Sequence, residues 1–214
     1  MLKLILEKKW LMYSYSGKRV LKVISINNRR YLGNKYKLLN FIQNIVHTEC
    51  IDSSSFFDVF AGTGIVASGF SEMKITTNDL LYSNYIVHYA FFSADVYNAI
   101  KLSKLIDYYN SKHVEDEPEN YFSMNFADTY FSHYVSKKIG FIREDIETRY
   151  NSREINTKER AILITSLIYA LDKIASTVGH YDAYRKTDEY NNRLHLKMLD
   201  IKPSKYGSQC FNED

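Results

Sequence analysis

One stretch constrains the fold of this chain more than any other: Phe56-Phe57-Asp58-Val59-Phe60 runs straight into Ala61-Gly62-Thr63-Gly64. The first five residues are mostly apolar and aromatic, which predicts a short strand. The glycines break it, residues 65–70 begin a helix, and residues 74–77 read as a second short strand ending at Asn78-Asp79. A strand, a glycine bend, a helix and another strand within about 25 residues is the repeating unit of an α/β fold with a parallel sheet.

Most of the remaining pattern is helical. Residues 37–46 place Leu38, Leu39, Ile42, Ile45 and Val46 on one stripe, and residues 83–113 read as helices rich in Tyr, Phe, Ile and Leu. Val135, Ile139, Ile142 and Ile146 recur at helical spacing. A further helix begins near Asn156, with Glu159 placed for a capping box, and runs through Leu163, Leu167, Leu171 and Ile174 to a stop at Gly179. Residues 115–119 form an acidic surface loop, residues 121–131 are aromatic and irregular, and residues 180–207 are polar and loop-rich. The tail at 209–214 looks like the end of a strand cut short. Residues 20–26 suggest a strand or hairpin, and the rest of residues 1–28 is weakly patterned.

Composition narrows the functional classes. The 28 basic and 25 acidic residues leave a net charge of +3, so any nucleic-acid surface must be local. Two cysteines, Cys50 and Cys210, exclude a disulfide scaffold, and His47 with Cys50 is a poor metal site without further ligands. Idle thiols fit a reducing, cytoplasmic setting. The apolar run at 161–171 is too short for a membrane span, which takes about 20 apolar residues. Pro118 and Pro203 are the only prolines and are not adjacent, which excludes any motif built on a Pro-Pro pair.

The glycine bend is where chemistry is expected. A strand ending in Gly-x-Gly before a helix brings bare backbone N–H groups and a helix N-terminus close to a ligand. Asp58 stands just before the bend, where a ligand ammonium could pair with it, and Asp79 ends the second strand, where a carboxylate can accept from ribose hydroxyls. These suit S-adenosylmethionine, which has both an amino-acid end and a ribose. A dinucleotide is the rival, because Gly62-x-Gly64-x-x-Ala67 meets the loose nucleotide pattern, although an acid before the bend suits an ammonium better than a pyrophosphate. A tight turn with no ligand is the third reading.

These residues carry a resemblance. Asn28-Arg29-Arg30-Tyr31-Leu32-Gly33-Asn34-Lys35, Asp58 through Gly64, and Asn78-Asp79 together resemble the adenine-specific DNA methyltransferases of restriction–modification systems. Residues 120–131 and 177–186, and the closing Asn212-Glu213-Asp214, resemble the same group. The resemblance implies an α/β fold: a partial Rossmann-like methyltransferase sheet in residues 1–94, a mainly helical target-recognition insert at 95–200, and a return to the sheet at 201–214. It implies S-adenosylmethionine as methyl donor, held by Tyr31, Gly33, Lys35, Asp58, Phe60, Gly62, Gly64, Asp79 and Asp214. Double-stranded DNA is the implied partner, with methylation of the adenine exocyclic amine as the reaction.

The family's catalytic signature, an Asp- or Asn-Pro-Pro-Tyr segment, has no counterpart in these 214 residues. The expectation is therefore a chain that supplies the donor site and part of the DNA reading, with no catalytic residue of its own, and that either works with a complementing polypeptide or is a truncated product, unstable and inactive alone. A non-catalytic DNA-recognition subunit is the alternative, and a nicotinamide-dependent oxidoreductase a further one.

For DNA contacts, the resemblance implies Arg30 and the stretch holding Tyr181, Tyr184, Arg185 and Lys186, where rings beside cations can stack on unpaired bases. The groups Lys137, Lys138 and Arg143, and Arg149, Arg153, Lys158 and Arg160, read instead as helix faces kept in water.

Overall fold

The computed structural model describes residues 25–26, 35–177, 190–191, 193–204 and 207–214. Among them are a three-stranded parallel sheet and seven α-helices. The strand or hairpin expected at 20–26 falls almost entirely outside the described residues, of which Ser25 and Ile26 alone belong to it.

A 3-10 turn at Tyr36–Leu38 leads into α1 (Leu39–Glu49). Strand β1 (Ser55–Asp58) pairs with β2 (Lys74–Asn78), with Ser55 opposite Lys74 and Asp58 opposite Thr77. Between them lies α2 (Ile65–Ser68). The tail forms β3 (Gln209–Phe211), which pairs with β2 from Thr76–Gln209 to Asn78–Phe211 and gives the order β1-β2-β3. The strand expected over residues 56–60 is thus shorter: Val59 and Phe60 belong to the bend, and Phe60 is 83% exposed.

Helix α3 (Tyr82–Phe92) follows β2, and α4 (Ala99–Ser111) follows it. Residues 121–126, expected to be irregular, form α5 (Tyr121–Phe126). Asn120 caps it by accepting from Phe122 and Ser123 N–H, while the Ser123 hydroxyl accepts from Asn120 N–H. This reciprocal box is disguised in the sequence because its third helical position is Ser rather than Glu or Gln. Asn120 also donates to the Lys137 carbonyl at 2.8 Å and sits against Gly140, where a Cβ would lie 1.9 Å from its Oδ1. Gly140 is therefore the seat that joins α5 to α6 (His133–Asn151).

Helix α7 (Thr157–Ile174) begins as the sequence predicts and stops short of Gly179. Asn156 accepts from Glu159 N–H, and Glu159 accepts from Asn156 N–H, both at 2.9 Å. The same carboxylate accepts from Asn98 N–H at 2.9 Å and pairs with Lys101 at 2.6 Å, so one residue ties together the starts of α4 and α7. Burial raises its carboxyl pKa, but Lys101 and the two N–H groups outweigh burial and hold it below its ordinary value. Ile162, Leu163 and Leu167 of α7 are buried, as are Leu102 and Ile106 of α4 and Ile139, Ile142 and Ile146 of α6. All belong to one core that continues through Ile86, Val87 and Ala90 of α3 to Ile65, Phe70 and Ile75 of the sheet unit.

The basic groups on α6 and α7 correct the sequence reading. Lys137, Lys138, Lys158 and Arg160 are all at most 9% exposed, not solvated. Lys138 Nζ donates to the Asn110 carbonyl near the end of α4, and Lys158 Nζ donates to the carbonyls of Tyr89 (3.1 Å) and Ser93 (2.7 Å) at the end of α3. Lys137 Nζ donates to the Glu115 carbonyl, and Arg160 pairs with Glu147 at 2.8 Å. These cations answer backbone carbonyls and a half-buried carboxylate, a role that residue spacing along one helix does not reveal.

Candidate functional site

The bend after β1 is built by two left-handed glycines. Gly62 has φ +53° and Gly64 φ +77°, conformations in which a side chain is strained. Gly64 is packed: a Cβ there would lie 2.9 Å from Ile26 Cδ1 and 3.0 Å from His88 Cδ2. Gly62 faces open space, with nothing within 4 Å of a Cβ. The first glycine therefore makes a mouth and the second a packed floor.

The mouth is fixed on both sides. Gly62 N–H donates to Asp79 Oδ2 at 2.7 Å, and Gly62 carbonyl receives His88 Nε2 at 2.9 Å. Because a carbonyl only accepts, His88 Nε2 carries the proton. Asp79 Oδ1 accepts from Leu81 N–H and from Asn84 Nδ2, each at 3.0 Å, so the same acid braces the turn into α3. Three of roughly four acceptor positions on this carboxylate are thus used inside the protein. The sequence view of Asp79 as a free acid waiting for two hydroxyls gains a second role, that of a tie between bend and helix. Asn84 and His88, one helical turn apart on α3 and both fully buried, were not singled out from sequence. Their spacing of four was the available signal.

Asp58 ends β1 and is half-buried. Burial pushes its carboxyl pKa up and the neighbouring charge of Asp79 adds to this, while Lys35 and the Phe60 N–H pull it down. Net, burial outweighs Lys35 and the group is held above its ordinary value. The tail closes one side of the site. Asn212 Nδ2 donates to the Asp79 and Leu80 carbonyls at 2.7 and 2.8 Å. Asn78 exchanges hydrogen bonds with the Glu213 backbone at 2.9 and 3.0 Å. Asp214 is the next residue and is exposed.

The structure thus gathers Asp58, Phe60, Gly62, Gly64 and Asp79 about one bend, with Lys35 within electrostatic reach of Asp58 and the tail bearing Asp214 alongside. Tyr31, Gly33, Arg30, Tyr181, Tyr184, Arg185 and Lys186 lie outside the described residues. An apolar cavity of about 200 Å³, lined by Ile65, Met73, Ile75, Phe91 and Phe92 among others, includes none of the bend's acids. Among the described residues there is no group of three or more metal-ligating side chains, and no helix is long and apolar enough to cross a membrane.

The chain is 30% identical over 201 residues to the type II methyltransferase M.FokI of Planomicrobium okeanokoites, covering 86% of this chain and 31% of that protein. It is 32% identical over 204 residues to modification methylase StsI of Streptococcus sanguinis, covering 86% and 30%. The type II methyltransferase M.NlaIII of Neisseria lactamica is 27% identical over 202 residues, covering 86% and 58%. The chain spans about a third of the length of M.FokI and StsI. No solved structure matches. The family model for D12 class N6 adenine-specific DNA methyltransferases matches residues 31–214, from before α1 through the bend to the last residue of the tail, and the chain belongs to that family.

Proposed function

We propose that this chain binds S-adenosylmethionine at the glycine bend and contributes to methylation of the adenine exocyclic amine in DNA. The observation that carries the reading is the pairing of two acids, Asp58 and Asp79, around a bare-backbone mouth. Asp58 is partly desolvated, and a carboxylate in that setting gains from an ammonium brought beside it. The open space in front of Gly62 gives a nucleoside room to approach the backbone. Asp79 has about one acceptor position left for a ribose hydroxyl, and the tail bearing Asp214 lies where a base edge could meet it. Phe60 and Leu80, both strongly exposed, flank the acids with apolar surface for a flat ring. When bound, the donor supplies an electrophilic methyl group on a sulfonium sulfur. This chain's residues fix its orientation, and positioning of a reacting pair is where such transfers gain much of their rate.

The sequence holds no Pro-Pro pair, so in this reading the groups that would accept the amine's hydrogen bonds and stack the flipped adenine are not among these 214 residues. Isothermal titration tests the donor site directly. The wild-type chain binds S-adenosylmethionine and not NAD. Asp58→Asn weakens that binding roughly tenfold or more, equivalent to about 1.4 kcal/mol, with an unchanged melting temperature. Equal affinity in wild type and variant would remove Asp58 from the site. NAD binding in place of S-adenosylmethionine would favour the dinucleotide reading.

A further inference from the structure

Residues 193–198 run alongside the helices without joining the sheet. Leu194, Leu196 and Met198 are buried at 6%, 1% and 6% exposure, while Arg193 and His195 are exposed and Lys197 half-exposed. This alternation is that of an extended chain with one face in the core. Helix side chains hold its backbone in place. Asn110 of α4 grips Leu196 twice, accepting from its N–H at 2.8 Å and donating to its carbonyl at 3.0 Å. Ser166 of α7 grips Lys197 twice, donating to its carbonyl at 2.7 Å and accepting from its N–H at 3.2 Å. Ser166 itself is fully buried, so this seat is built into the core.

The outward face of the ridge is cationic. Lys173 of α7 joins it: Lys197, Lys138 and Lys173 all bear on His195, and Asp107 is the acid that bears on it. Burial and these cations keep the imidazole below its ordinary pKa. Among the described residues none of Lys173, Arg193 and Lys197 forms an ion pair. That sets them apart from Arg143, Arg149 and Arg160, which are paired with Glu147, Asp145 and Glu147. In a chain with a net charge of only +3, cations left together without partners on a rigid seat are a local excess.

We propose that Arg193 and Lys197, carried on this pinned extended ridge, together with Lys173 of the neighbouring α7, are a contact for the DNA phosphate backbone. Four residues of extended chain put Arg193 and Lys197 about 13 Å apart, and one DNA strand carries a phosphate roughly every 3.4 Å along the axis, so the two span about four phosphates. A preformed row loses little freedom on docking, unlike lysines on a mobile arm. The contact is sequence-independent: it sets affinity and register, not the base read. It rests on the DNA reading given above and adds to it a surface that the sequence patterns did not single out.

The test is the salt dependence of binding by the full 214-residue chain to a fluorescent mixed-sequence DNA duplex. Each phosphate contact contributes about 0.9 to the slope of log affinity against log salt. The triple variant Lys173→Gln, Arg193→Gln, Lys197→Gln loses roughly 2 to 3 from that slope, with S-adenosylmethionine affinity and melting temperature as in wild type. Asp107→Asn, which removes the acid bearing on His195, tightens binding. A triple variant with the wild-type slope overturns the ridge while leaving the DNA reading standing. A wild-type chain that binds no duplex at low salt overturns both.

Discussion

At the scale of single residues, the two glycines of the bend look alike in sequence and do different work. Gly64 sits against Ile26, His88 and Phe92, whereas Gly62 faces solvent. Gly64→Ala combines left-handed strain of about 1–2 kcal/mol with overpacking of about 1–3 kcal/mol, and its melting temperature falls accordingly. Gly62→Ala meets the backbone strain alone, so it melts closer to wild type while losing ligand affinity in titration. Equal destabilisation by the two would refute the division into mouth and floor. The acids and glycines of the bend were legible because the chemistry is local: strand end, bend and helix start follow one another along the chain. Asn84, His88 and Asn212 were not, since each acquires its role only when a helix turn or the tail is folded back onto Asp79 or the bend.

At the scale of elements, the start of α7 was readable, the start of α5 was disguised, and the groups that answer helix ends were not readable. Asn156 and Glu159 lie three residues apart, so their box could be seen in the sequence; the lysines that answer helix ends come from other helices. Lys158 illustrates the consequence. Burial pushes its pKa from 10.5 down to about 8, because its ammonium is enclosed at the end of α3. Below pH 8 both the folded and unfolded chain hold the proton, and the cost of burying the charge is fully present. Between about pH 8 and 10.5 the unfolded chain binds more protons than the folded one, so this group makes stability rise with pH. Urea unfolding of wild type and Lys158→Met across that range should show this rise in wild type only, after the shared titration of other groups is subtracted. Parallel curves would mean that Lys158 keeps an ordinary pKa.

At the scale of the whole molecule, β1 is the end strand of the described sheet and pairs with β2 alone among the described residues. Phe57 on it is 57% exposed, and Val59 and Phe60 beyond it are exposed as well. An end strand with aromatic side chains facing water invites pairing with further chain. The purified 214-residue chain should therefore self-associate with rising concentration, and Phe57→Lys should reduce that association in light scattering. A monodisperse wild type at high concentration would show that the edge is already satisfied.

The amino-acid sequence by itself determined the α/β unit, the bend with its acids, the amphipathic helices and the family, because each is written in short-range spacing. Tertiary structure decided which cations are structural and which face outward. It also turned a stretch that reads as polar loop into a pinned ridge with Leu194, Leu196 and Met198 in the core. The physical reason is that a charged group's role depends on what surrounds it in space. The same lysine is a solvated face, a helix cap or a phosphate contact according to whether water, an orphan carbonyl or no counter-charge stands opposite it.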